Sequence, residues 1–226
     1  LLSAALFGVS TPLAKLLLGD IRPVALAGLL YLGIFFGLTV YSATLRAVSG
    51  SRARGRAAQR RPSPSPETGH REERRPVRRD ASLERKDLPW LAGAILAGGI
   101  IGPVCLMVGL NRISGFSASL LLNFEGAATA VIAVVIFKEN AGGRVWTALA
   151  AMTAAGVCLS WNPGGGRFNP EGPALVVLAM MAWGLDNNLT RQISDNDPVE
   201  IARIKGLVAG AASTALAFVL GQGFRP

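Results

Sequence analysis

Phe116-Ser-Ala-Ser-Leu-Leu-Leu-Asn-Phe-Glu-Gly-Ala-Ala-Thr-Ala-Val-Ile-Ala-Val-Val-Ile-Phe137 is a run of 22 residues, almost all apolar, with one carboxylate, Glu125, near its middle. At about 1.5 Å per residue, a helix of this length matches the hydrocarbon core of a bilayer. A carboxylate so placed sits near the midplane, where an ionised side chain costs about 2.5–3.5 kcal/mol. Two arrangements offset that cost. Either Glu125 is a structural group, protonated or hydrogen-bonded to a neighbouring helix, or it faces a substrate or proton pathway. The sequence leaves both open.

The rest of the chain has the same character. Half of its 226 residues are hydrophobic, and the mean hydropathy is +0.40 despite a polar insert. Apolar runs of membrane-spanning length recur along it, which excludes an ordinary soluble globular domain and implies an all-α, polytopic transmembrane helical bundle. A transmembrane β-barrel would show shorter segments of alternating polarity. The two cysteines, Cys105 and Cys158, fall inside predicted spans and read as small buried hydrophobes.

Seven spans are expected: about 1–18, 24–45, 88–110, 116–137, 145–161, 173–189 and 199–220. Gly98-Gly99 and Gly102-Pro103 interrupt the third, so a kink is expected there. The units are then residues 1–46, two helices; 47–88, a basic linker; 89–161, three helices; and 162–226, two more. The linker carries 12 Lys and Arg against six Asp and Glu, with Pro62-Ser63-Pro64-Ser65-Pro66 at its centre, and is expected to be disordered. Loops after the second, fourth and sixth spans hold 18 of the 23 basic residues. By the positive-inside rule that side, linker included, is cytoplasmic, although most of the asymmetry comes from the linker.

Phe7-Gly8-Val9 through Lys15, a turn and Pro23-Val24 is repeated as Trp183-Gly184-Leu185 through Arg191, a turn and Pro198-Val199. Five spans separate the copies, so the second is inverted across the membrane. Inverted repeats of this kind place a transporter's substrate site near the midplane between halves.

Ser119-Leu120-Leu121-Leu122-Asn123-Phe124-Glu125, continuing to Phe137-Lys138-Glu139, resembles the fourth helix of EamA-type transporters of the drug/metabolite transporter superfamily. Ala5-Leu6-Phe7-Gly8 with Ser10-Thr11-Pro12, Ala155-Gly156-Val157, and Ala182-Trp183-Gly184 with Asp186-Asn187-Asn188-Leu189-Thr190-Arg191 match other helices of that family. The resemblance implies an inverted five-helix repeat with an incomplete second repeat, a fragment covering about seven of ten helices. It further implies export of a small metabolite or drug-like compound. Two features depart from the family pattern: Gly126 stands where Pro is common, and the linker is unusually long.

No catalytic constellation is present, and the single histidine, His70, lies in the linker, so no enzyme, metal or cofactor is expected. The candidates for substrate binding or coupling are the intramembrane polar residues Glu125, Asn123, Thr129, Asp186, Asn187 and Asn188, with Trp183. Glu125 and Thr129 are four apart and share a helix face, whereas Asn123 points elsewhere and is expected to bond another helix. Asp186 is expected to interact locally with Arg191. Lys15 and Arg191 should snorkel, and Arg203 and Lys205 should face water or headgroups. Tyr31, Met107 and Trp183 are expected to pack rather than line a cavity.

The expected function is a bacterial inner-membrane permease working by alternating access, with proton coupling raised by Glu125 alone. The alternative is a non-transporting membrane scaffold whose basic linker binds anionic lipid or a protein partner. Expected partners are a small-molecule substrate and membrane lipid, with a homodimer admitted; nucleic acid is excluded because the linker lacks aromatic stacking platforms.

Overall fold

The structure, a computed structural model, describes residues 2–58, 83–140, 142–160 and 170–222. The centre of the basic linker, with Pro62 to Pro66 and His70, and the Gly/Pro-rich loop at 161–169 lie outside the described residues, as does the Cys158 side chain.

The described chain folds as an all-α bundle: α1 (Leu2–Leu17), α2 (Pro23–Ala58), α3 (Leu88–Ala94), α4 (Gly102–Arg112), α5 (Gly115–Leu121), α6 (Phe124–Val135), α7 (Gly143–Ser160), α8 (Glu171–Arg191) and α9 (Pro198–Val219). Four stretches among the described residues are long and apolar enough to cross a membrane: Pro23–Ala47, Arg85–Arg112, Gly115–Val135 and Pro198–Val219.

Helix α2 runs past the expected end of its span. Residues 46–58 continue the helix where a disordered segment was expected, because Ala and Arg are strong helix formers and no proline intervenes before Pro62. The third rod leaves the α-helical pattern at the glycines that mark it in the sequence. Between α3 and α4, Ile95–Ile101 forms a π turn, and Pro103 follows at the start of α4.

The segment 116–137, expected as one helix, tightens at Leu122 and Asn123 into two. Asn123 and Glu125 donate their N–H groups to carbonyls only three residues back, Leu120 and Leu122. Helix α6 ends at Val135, and Lys138, with φ of 58°, turns the chain so that Glu139 N–H returns to the Ala133 carbonyl.

Helices α2 and α9 pack along each other in opposite directions. Gly28 faces Thr214, and Gly206 faces Tyr31 and Phe35. A Cβ on Gly206 would lie 2.9 Å from the Tyr31 carbonyl and from Phe35 N, so only glycine permits this approach. The offset of 175 residues that carries Pro23 onto Pro198 also carries Tyr31 onto Gly206.

The main apolar cluster joins Ala14, Leu26, Leu110, Val176 and Met180 at the end of the bundle that carries the turn at residues 18–22. A smaller cluster of Leu91, Ile193 and Ile201 sits at the opposite end, by the turn at residues 192–197. On α8, Asp186, Asn187 and Asn188 lie between Met180 of the first cluster and Ile193 of the second, just past the helix end.

Candidate functional site

Glu125 and Thr129 occupy successive turns of α6, on the side toward α8. Thr129 Oγ1 donates to the Glu125 backbone carbonyl at 2.8 Å, and its lone pairs then accept from Asn187 Nδ2 at 3.2 Å. The same Asn187 amide donates to Glu125 Oε1 at 3.0 Å. Asn188 is buried, and its amide donates across to the Thr129 carbonyl at 2.9 Å and within α8 to Gly184 at 2.8 Å.

Consecutive residues on a helix project about 100° apart. Asn188 therefore ties the two helices together while Asn187 stays exposed beside them. Gly184 sets the spacing, because a Cβ there would lie 2.8 Å from Thr129 N and 2.9 Å from the Ala128 carbonyl carbon. Glu125, Gly126, Thr129, Asn187 and Arg191 line a cavity of about 500 Å³. Ala130 also lines this cavity.

A second cavity, of about 600 Å³, lies between α2, α8 and α9 and is lined by Tyr31, Ile34, Asn187, Thr190 and Lys205 among others. Asn187 and Arg191 belong to both cavities. A third, apolar cavity of about 320 Å³ is lined by Leu13, Leu17, Tyr31, Met107 and Trp183 among others.

Several expected partners differ. Asp186 is buried and pairs with Lys205 of α9, whose Nζ lies 2.6 and 2.7 Å from the two carboxylate oxygens; Thr190 Oγ1 donates to Asp186 at 2.9 Å. Arg191 instead pairs with Glu139 beyond α6. The reason is rotation: Asp186 points toward Gly98 of the π turn and toward the Lys205 side chain, whereas Arg191 sits on the exposed flank. Lys205, expected to face water or headgroups, thus lies inside the bundle.

Lys15 Nζ turns inward and donates to the Leu110 carbonyl, one of the last carbonyls of α4, which lack helical donors. Asn123 does not reach another helix. It is exposed, and its amide bonds the Ser119 and Leu120 carbonyls of its own rod, where the tightened turn leaves them. Tyr31, Met107 and Trp183, expected only to pack, also form cavity walls. Tyr31 and Trp183 do so because their polar tips are both drawn to the Gly98 carbonyl, which lies between cavities.

The residue that sequence reasoning left out of the site is Lys205. A cation in the early turns of a spanning helix needs a counter-ion when it faces the bundle, and Asp186 is the one carboxylate in the preceding span, 173–189.

Residues 75–161 match the EamA-like transporter family. The matched stretch holds the rod with the π turn, α5, α6 and α7, and with them Gly98, Glu125 and Thr129; Asn187, Asp186 and Lys205 lie beyond it on α8 and α9. The chain is also similar to a protein of Methanothermobacter thermautotrophicus described as an uncharacterized transporter, 24% identical over 225 residues, which is 95% of this chain and 59% of that relative. The chain thus spans less than two thirds of the length of that relative. No solved structure matches it. The match to a transporter family and the four long apolar helices together mark a multi-pass membrane protein.

Proposed function

We propose that the chain acts in a membrane permease that moves a small polar metabolite outward by alternating access, with Glu125, Thr129 and Asn187 meeting the substrate. Support comes from the match of residues 75–161 to the EamA-like transporter family and from the relative described as a transporter. The location is the bacterial inner membrane, with residues 47–88 on the cytoplasmic side.

One observation carries the reading. The Asn187 amide bridges Glu125 and Thr129 while lining both larger cavities, so a solute in the first would meet all three groups and one in the second would reach them through Asn187. A substrate hydroxyl or amine can replace the Asn187 donor on Glu125, and a substrate carbonyl can take the amide so released.

Proton coupling follows from the same contact. A carboxylate accepts a charge-assisted hydrogen bond about twice as strong as a neutral one. Protonation of Glu125 therefore loosens Asn187 and weakens the hold on a donor substrate, so that proton uptake and substrate release are linked. Flux measured against an imposed pH gradient tests this. Glu125→Gln in the full-length protein should abolish the pH dependence of export, and flux that keeps its pH dependence would sink the coupling role.

A further inference from the structure

The π turn at Ile95–Ile101 leaves one carbonyl without a helical donor. The Gly102 N–H donates to Ala97, following the five-residue spacing of such a turn. The same spacing assigns the Gly98 carbonyl to the nitrogen of residue 103, which is Pro103 and has no hydrogen. An orphaned carbonyl in an apolar interior must find a donor elsewhere. It finds two: Tyr31 Oη donates at 2.6 Å and Trp183 Nε1 at 2.9 Å. One comes from α2 and the other from α8, so three rods meet at one oxygen.

This junction lies at mid-depth. Gly98 is near the middle of the rod 88–112, Trp183 is near the middle of α8, and Tyr31 sits where α2 crosses α9. It also lies between cavities set toward opposite ends of the bundle. The apolar cavity lies among the C-terminal halves of α1 and α4, by the turn at 18–22; the cavity holding Lys205 lies by the turn at 192–197. Those turns are at opposite ends because α2 and α9 are antiparallel, Gly28 lying level with Thr214 and Phe35 with Gly206. Tyr31 forms part of both cavity walls, and Trp183 part of the apolar one. Behind the carbonyl, Asp186 occupies the space a Gly98 side chain would need, so the Asp186–Lys205 pair backs the junction.

We propose that Tyr31, Trp183 and the Gly98 carbonyl form a central gate, closed in this structure, whose two hydrogen bonds break when the cavities on either side exchange access. The proposal rests on the transport reading only in placing a solute on this path. Access between the cavities can be measured without any substrate.

The test is cysteine labelling with a membrane-impermeant maleimide in sealed vesicles of either orientation, using the full-length protein with Cys105→Ser and Cys158→Ser. Leu13→Cys reports from the apolar cavity, and Ser194→Cys in the turn at 192–197 fixes which side faces the reagent. With reagent on the Ser194 side, Tyr31→Phe should raise the labelling rate of Leu13→Cys about fivefold, the loss of one hydrogen bond, and adding Trp183→Phe should raise it further. Trp183→Phe alone provides the same readout should Tyr31→Phe fail to insert. Rates equal to the parent in both variants overturn the gate. Faster labelling with no solute flux in the parent keeps the gate and refutes transport; unchanged labelling with normal flux does the reverse.

Discussion

Substituting Lys205 by methionine removes one half of a buried charge pair and leaves the other in place. Lys205 Nζ contacts both oxygens of Asp186, and the two side chains keep only 15% and 11% of their exposure, too little for water to take over the lost contact. A buried carboxylate deprived of its partner destabilises a fold by about 3 kcal/mol or more. Asp186→Asn added to Lys205→Met removes the stranded charge while keeping its shape and its Thr190 neighbour. The double variant should then lose only interhelical hydrogen bonding, about 1 kcal/mol. The assay is reversible unfolding in mixed detergent micelles, followed by tryptophan fluorescence, on the parent, both single variants and the pair. A coupling of at least about 1.5 kcal/mol is expected from the difference between these losses. If Lys205→Met shifts stability by less than about 0.5 kcal/mol, or the two substitutions simply add, the buried pair is not what joins α8 to α9.

Two other comparisons separate close contacts from open ones. Gly98→Ala forces a Cβ into Asp186 and should cost about 3 kcal/mol, whereas Gly33→Ala, with nothing within 4 Å, should stabilise α2 by about 0.5–1 kcal/mol; equal effects in the same unfolding assay would contradict the packing described. Asn188→Leu should cost about 1 kcal/mol through its lost bonds to Thr129 and Gly184, while Asn187→Leu, on the exposed side, should stay within about 0.5 kcal/mol. A reversed order of these two would exchange their structural and cavity-facing roles.

What the sequence discloses here is set by what hydropathy and backbone chemistry determine. Long apolar runs announce an all-α membrane bundle because each span must satisfy its own backbone, and Gly98-Gly99 with Gly102-Pro103 marks the helix interruption for the same reason. Glu125 and Thr129 could be paired in advance because their spacing alone puts them on one face. Their partner Asn187 was a candidate, but its bridging position was not readable, since that depends on how α8 is rotated against α6. The Asp186 partner was misread for that reason: Arg191 is nearer in sequence, but Lys205 is nearer in space. The roles of Tyr31 and Trp183 were hidden further, because nothing in either residue reveals that a carbonyl 67 or 85 positions away has lost its donor. Helix α2 was cut short because charge density was read as disorder, although Ala and Arg carry a helix past the membrane edge without difficulty.

The central claim is that a solute crosses this bundle by way of Glu125, Thr129 and Asn187. Its most direct test is solute efflux from vesicles containing the full-length protein, parent against Asn187→Leu, with stability measured on the same preparations. The account predicts a variant that folds like the parent and has lost most of its flux; a folded Asn187→Leu protein with parental flux would contradict it.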